Sequence, residues 1–410
     1  TVLFKKNQER MIGIVLLSFG GGFGWTQGIF GEAIPLLARL QSTDLVYYLG
    51  YTVFGFLFHP LAMLSLAFLF LEAYFLLRFW EKPTLRLSSA AALMGLLAFF
   101  NHPAAGVLGL GLGGLVLAQW FIQSTHFTRI SLQSRIPFLL PAIAAGIITL
   151  LYVVWARGEP VYLYHQTIYT EWARQEPIWM YPFALGIPLL AALVAIFTRA
   201  RFDSPRVERV LLTWLALALV LANFFPAGVK YLYLIFPALI WFAVLGIRLL
   251  ATKLSARLSF FTPKQWMALG VLLACLSVPF IINLRTTHVV EKENYYHSIE
   301  EEKALVFLET QGKGIVLSEA RIGSLVTWRS PQRPFLAHSF LTLNFDEKRE
   351  IVHAFFDSRV SIEEKREILE QNGITHVFYG PDEQKLGAIS PGLPLELLFE
   401  EGDVTLFRVD

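Results

Sequence analysis

The run Tyr231 to Ile247, YLYLIFPALIWFAVLGI, carries no charge and stands directly after a single cation, Lys230. About 17 to 25 apolar residues, rising about 1.5 Å each, cross a hydrocarbon core about 30 Å thick, so the run predicts a membrane-spanning helix with Lys230 at one mouth. Arg248, Lys253 and Arg257 follow at the other mouth. Lysine and arginine concentrate on the cytoplasmic side of spans, which places this end inside and Lys230 outside.

The rest of the chain has the composition such a span needs. Of 410 residues, 55% are hydrophobic and 16% charged, the balance of a membrane protein rather than a soluble globular domain. The one cysteine, Cys275, lies in an apolar run. It excludes an intramolecular disulfide and a cysteine-based metal site. Charge divides sharply near residue 285. After Arg285 there are 22 Asp+Glu against 13 Lys+Arg, and up to it 10 against 21. Two regions in different solvents are expected, a transmembrane helical domain over 1–285 and an extracytoplasmic α/β domain over 286–410. Thr1-Val2-Leu3-Phe4 before Lys5, Lys6 and Arg10 reads as the interior of a longer chain, with no signal peptide.

The predicted architecture is mainly α, a polytopic transmembrane helical bundle of about nine spans followed by the small α/β domain. Apolar segments at 11–24, 60–80, 89–100, 104–121, 137–155, 179–197, 210–225, 231–250 and 266–282 supply the spans. Asn101-His102-Pro103 breaks the third from the fourth, because proline cannot donate to a helix ladder. With the N-terminus inside, sixteen basic residues fall on one side and five on the other, Arg39, Arg157, Arg174, Lys230 and Arg285. In the tail, Ser298-Ile299-Glu300-Glu301 and Ser361-Ile362-Glu363-Glu364 are capping boxes that open helices, the second ending at Asn372-Gly373. Short β-type runs lie at 315–317, 375–379, 395–399 and 404–409, with 400–403 turning the last two into a hairpin.

Several familiar motifs fail on context. Gly109-x-Gly111-x-Gly113-Gly114 has the look of a phosphate loop, but it sits inside an apolar span with no strand before it and no Lys-Ser or Lys-Thr after it. Close helix packing is the better reading. The acidic tail gives nucleic-acid binding no support. The predicted topology gathers Glu32, Asp44, His59, His102, Glu159, His165, Glu171, Arg174 and Lys230 on the outer face. Singly, each is explained as a solvated loop residue; together they suit a reaction on a phosphate-bearing lipid. Lys230 and Arg174 could hold the phosphate, and Asp44 or Glu32 could deprotonate an attacking hydroxyl. Glu72 stands apart, within the apolar Leu69-Phe70-Leu71-Glu72-Ala73-Tyr74-Phe75. An acid inside a span is either a functional group or one paired with an arginine or serine of a neighbouring helix.

LSFGGGFGW, the segment FHPLAMLSLAFLFLEAY, the break at Asn101-His102-Pro103, the KYLYLIFPALIWFAVLGIRLL span and the tail ending HVFYGPDE and GDVTLFRV together resemble bacterial GT-C type glycosyltransferases. These are relatives of the protein O-mannosyltransferases and aminoarabinose transferases. The resemblance covers most of the chain and rests on layout and loose local patterns. It implies an enzyme of the bacterial inner membrane that takes a sugar from a polyprenyl-phosphate carrier and gives it to an acceptor on the outer face. The outer-face gathering makes Asp44 and Glu32 the catalytic candidates and Arg174, His102, His59 and Lys230 substrate-binding ones, and the resemblance adds Tyr231 and supports a phosphate contact for Lys230, with a divalent cation as an optional cofactor and no metal ligands assigned. The family's catalytic acid lies in the first outer loop. No Asp-Asp, Glu-Asp or Asp-x-Asp occurs before residue 285, so that loop is expected upstream of Thr1.

Two other classes stay open. A transporter or flippase for a lipid-linked substrate would make Glu72 central. A non-catalytic membrane scaffold would use the tail to bind other envelope proteins.

Overall fold

The structure, a computed structural model, describes residues 6–19, 60–127, 135–164, 167, 178, 181–198, 204–225, 228–276, 297–339 and 342–410. They fall into two units. The first holds the described residues up to 156 and those of 178–276; the second holds 157–164, 167 and 297–410.

The first unit is helical: α1 (Asn7–Phe19), α2 (Pro60–Glu81), α3 (Leu85–Asn101), α4 (Pro103–Phe127), α5 (Leu140–Ala156), α6 (Tyr181–Phe197), α7 (Pro205–Phe224), α8 (Gly228–Arg257) and α9 (Pro263–Ala274). Each of the nine apolar segments overlaps one of these helices. Among the described residues, five stretches are long and apolar enough to cross a membrane: Met63–Glu81, Pro103–Gln123, Ile136–Ala156, Pro205–Phe224 and Lys230–Arg257. The chain is therefore a multi-pass membrane protein. Leu85–Asn101 and Ala184–Phe197 are shorter apolar helices.

Polar contacts between helices fix the direction of each. Gln119 on α4 donates to Thr213 on α7 (3.0 Å), and Arg209 at the start of α7 donates to Gln123 near the end of α4 (2.6 Å). The two helices are thus antiparallel. Arg209 also lies 6.0 Å from the ring of Trp80 at the end of α2. Arg248 near the end of α8 pairs with Glu9 on α1, and Ser88 in the first turn of α3 donates to the Phe138 carbonyl (2.5 Å). Arg10, Arg78, Arg86, Arg135, Arg206, Arg209, Arg248, Lys253 and Arg257 consequently gather at one end of the bundle. The His102 break and the first turn of α8, with Lys230, lie at the other. Such an asymmetry is what membrane insertion selects.

Local chemistry explains the irregular points. Thr84 caps α3, accepting from Leu87 N at 3.3 Å. His102 closes the helix in an extended conformation (φ −153°, ψ 102°), because Pro103 cannot continue its ladder. In α8, Pro237 likewise removes a donor from the helix interior. One turn earlier, Trp214 of α7 joins the two helices, its indole N–H donating to the Leu234 carbonyl at 2.7 Å. Gly246 lets α8 press on α6: a Cβ there would lie 1.8 Å from the Ala191 carbonyl oxygen. Residues of α8 dominate the buried core, whereas Ile143, Ile147, Leu150, Leu151, Val154 and Trp155 of α5 are exposed, as befits a helix facing lipid.

The second unit is an α/β domain: α10 (Ile299–Glu309), β1 (Ile315–Leu317), α11 (Ala320–Arg329), β2 (Arg333–Pro334), α12 (Phe345–Phe356), α13 (Ile362–Gln371), β3 (His376–Tyr379), α14 (Pro381–Leu386), β4 (Leu395–Glu401) and β5 (Val404–Val409). The sheet order is β2-β1-β3-β5-β4. The first three strands run parallel, β5 is antiparallel to β3, and β4 and β5 form the predicted hairpin around Gly402 (φ 57°). Because side chains alternate along a strand, the sheet serves two cores. Val316, Phe378, Val404 and Leu406 pack with Leu305, Leu308, Ile322 and Val326 on one face. Leu317 and Val377 pack with Leu336, Val352, Phe355, Phe356 and Leu369 on the other. Both predicted capping boxes form, at Ser298 and Ser361.

The described stretch 157–164, between the apolar segments 137–155 and 179–197, is helical over 160–164 and belongs to this unit. Asn344, before α12, is left-handed (φ 56°) and its side chain makes no capping bond, so the Phe345 amide needs another acceptor. The Tyr164 hydroxyl supplies it at 3.2 Å.

Candidate functional site

Lys230 is the third residue of α8, half-buried, at the end of the first unit opposite its cluster of arginines. A helix start carries partial positive charge and N–H groups without intrahelical partners, so a cation in the first turn adds to an end already suited to anions. Tyr231 beside it is buried (5% exposed) and meets Phe225 edge-on, centroids 6.3 Å apart. His102 sits in the break between α3 and α4 at this same end, its carbonyl accepting from Gly106 N at 3.1 Å. Asp44, Glu32, His59 and Arg174 lie outside the described residues, as do His165 and Glu171. Glu159 is exposed and belongs to the second unit. Among the described residues no three His, Cys, Asp or Glu side chains converge as a metal site.

Glu72 is 1% exposed, and its Oε2 has no hydrogen-bond partner. The arginine or serine partner considered from sequence is not there among the described residues. Arg78 pairs with Glu81 (2.9 Å), and Ser65 donates to the Leu61 (2.9 Å) and Ala98 (3.2 Å) carbonyls. The carboxyl group instead occupies the space that three glycines leave. A Cβ on Gly109 would lie 2.5 Å from Oε2, one on Gly113 2.9 Å from Oε1, and one on Gly95 3.1 Å from Oε1. The glycine run that imitates a phosphate loop is therefore a close-packing device, as expected, and what it packs around is an acid.

Sequence reasoning missed a cluster in the second unit, at the C-terminal ends of β1 and β3. Arg321 binds Asp382 (2.6 Å, from Nε) and also pairs with Glu301. Burial works to raise the Asp382 carboxyl, but the bonds from Arg321 outweigh it and hold that group below its usual range. Glu383 is fully buried and accepts from Glu319 N (2.6 Å) and Gly380 N (3.0 Å). Burial pushes it up to about 7 in spite of those donors. Glu319 in turn meets His353 at 2.7 Å. The only sequence signal was Pro381-Asp382-Glu383, which reads equally as a helix start. These bonds tie together the loops that follow β1 and β3.

No family model and no curated protein matches the chain. Two solved structures of oligosaccharyltransferase from Archaeoglobus fulgidus are similar to it. One, archaeal AglB in complex with an inhibitory peptide and a dolichol-phosphate, has 12% identity and a TM-score of 0.38, with 91% of this chain and 55% of that chain covered. The other, in complex with Zn and sulfate, has 14% identity and a TM-score of 0.37, with 90% and 52% covered. The chain thus spans about half the length of either.

Proposed function

We propose that the chain acts as a membrane glycosyltransferase, moving a sugar from a polyprenyl-phosphate carrier to an acceptor on the outer face of a bacterial inner membrane. The observation that carries this reading is Lys230: a half-buried cation in the first turn of α8, opposite the arginine-rich end. A lipid-borne phosphate approaches at that depth, and a buried cation binds an anion more strongly than an exposed one. In the reaction, the acceptor's nucleophilic oxygen attacks the anomeric carbon and the carbon–oxygen bond to phosphate breaks. Asp44 or Glu32 takes the acceptor proton, and the polyprenyl phosphate leaves with its charge held by Lys230, Arg174 and His102. His59 and Tyr231 line the substrate, a divalent cation is an optional further ligand of the phosphate, and the second unit lies outside the cytoplasm.

The test is transfer from a labelled polyprenyl-phosphate sugar by the full-length protein in membranes. Lys230→Ala should lower kcat by about 10²-fold, the scale of losing one group that stabilises developing charge. A wild-type rate in that variant would remove the phosphate assignment. A second reading, transport of a lipid-linked substrate, is favoured by Glu72, whose Oε2 has no partner among the described residues. It predicts that Glu72→Gln abolishes flux across proteoliposomes.

A further inference from the structure

We propose that Glu72 is an intramembrane proton-binding site, with its carboxyl group enclosed by Gly95 of α3 and Gly109 and Gly113 of α4. This goes beyond sugar transfer and does not depend on it. Glu72 sits nine residues before the end of α2, inside the span Met63–Glu81, and is 1% exposed. Its Oε2 has no hydrogen-bond partner and points at Gly109, where a Cβ would lie 2.5 Å away.

The ligand class follows from what surrounds the group. A carboxylate ion in such a place needs a counter-ion, and among the described residues the helices packed on α2 present none to it. On α2 itself Arg78 is engaged by Glu81. On α3 the cation is Arg86, nine residues before Gly95, and His102 precedes Gly109 of α4 by seven. On α7 the charged residues are Arg206, Glu208 and Arg209 in its first turn, with Arg209 bound to Gln123. None of these is joined to Glu72 by an ion pair or hydrogen bond among the described residues. A metal ion is no better served. Calcium and magnesium take about six or more oxygen ligands, whereas Glu72 offers one carboxyl among glycines whose carbonyls belong to helix ladders. A proton is the one cation that a lone carboxyl can hold without further ligands. Giving it up leaves a charge in an apolar enclosure, so its release requires α3 and α4 to part from α2 and admit water or a counter-ion.

The test uses the full-length protein in native membrane vesicles and two carbodiimides, dicyclohexylcarbodiimide and a water-soluble one. A protonated carboxyl adds across the carbodiimide, its proton passing to nitrogen and its oxygen to the central carbon, and the adduct rearranges to a stable acylurea. Peptide mapping should place the hydrophobic reagent on Glu72, at least about tenfold over the water-soluble one, as the enclosure demands. Glu72→Gln should lose that label. Infrared spectra should show a carboxylic acid carbonyl band that shifts in deuterated water and is missing from Glu72→Gln. Should that variant fail to fold, the mapped label and the isotope shift of the wild type still decide. Labelling of other carboxyls with Glu72 untouched, or equal labelling by both reagents, would overturn the proposal.

Discussion

Glu383 sets two forces of opposite sign against each other, and pH separates them. Its carboxyl accepts two backbone N–H groups, which favour the ion, yet it is fully buried, which disfavours it. Burial wins, raising the group from 4.5 to about 7. A group raised in the folded state holds its proton more tightly there than when unfolded. Its stabilising contribution is therefore complete below the unfolded value of 4.5 and is lost as pH rises through about 7. The difference of about 2.5 pH units corresponds to about 3.5 kcal/mol at about 1.4 kcal/mol per unit. Hydrogen exchange, corrected for the intrinsic pH dependence of amide exchange, reads this locally. Peptides over β1 and β3 should lose about two orders of magnitude of protection between about pH 5 and pH 8. Glu383→Gln should start lower, since its amide faces a backbone N–H, at a cost of about 1–3 kcal/mol. Its profile should then be flat over the same range. Wild-type protection that rises or stays level with pH would refute the reasoning, because the two backbone donors would then outweigh burial and the folded protein would hold a carboxylate.

Two packing predictions follow from single atoms. Gly246→Ala puts a methyl group 1.8 Å from the Ala191 carbonyl oxygen, so α6 and α8 must separate; a loss of about 1–3 kcal/mol, the usual penalty of overpacking, should appear as a lower detergent-unfolding midpoint. Tyr164→Phe removes the acceptor for Phe345 N, leaving a half-buried amide unmet at a cost of about 1 kcal/mol, and amide exchange in the first turn of α12 should quicken by about fivefold.

The features legible in the sequence are those with a short-range cause. Ser298 and Ser361 each sit three residues before a glutamate, and both boxes close as read. Pro103 stops α3 at Asn101, since a missing N–H needs no distant partner to act. The apolar runs became helices because hydrocarbon leaves the backbone no other way to satisfy itself. Features that depend on a partner far along the chain were not legible. Nothing near Tyr164 says that its hydroxyl meets an amide 181 residues later. β2 is two residues long, Arg333–Pro334, and exists because β1 offers it an edge. The carboxylates around Arg321 come from α10 and α14, and only the fold of the sheet brings Glu301 and Asp382 to one guanidinium.

Glu72 shows how two weak signals define each other once the helices are placed. A lone acid in an apolar run has two readings, and a glycine-rich run in another span has two more. Pairing with a nearby arginine or serine was the bland reading for the acid, and close helix contact the bland one for the glycines. The glycines do give close contact: a Cβ on Gly106 would strike Phe99 Cα at 2.1 Å. Gly109 and Gly113, though, are spaced four apart on one face of α4, one turn from each other, and what lies against both is the Glu72 carboxyl. Were tight packing the sole requirement, alanine or leucine in place of Glu72 would serve it better, since lipid-buried charge is costly and an unsatisfied oxygen gains nothing. A carboxyl group accommodated by three glycines and answered by no partner among the described residues costs stability, and that cost is accounted for if the acid is there for its proton.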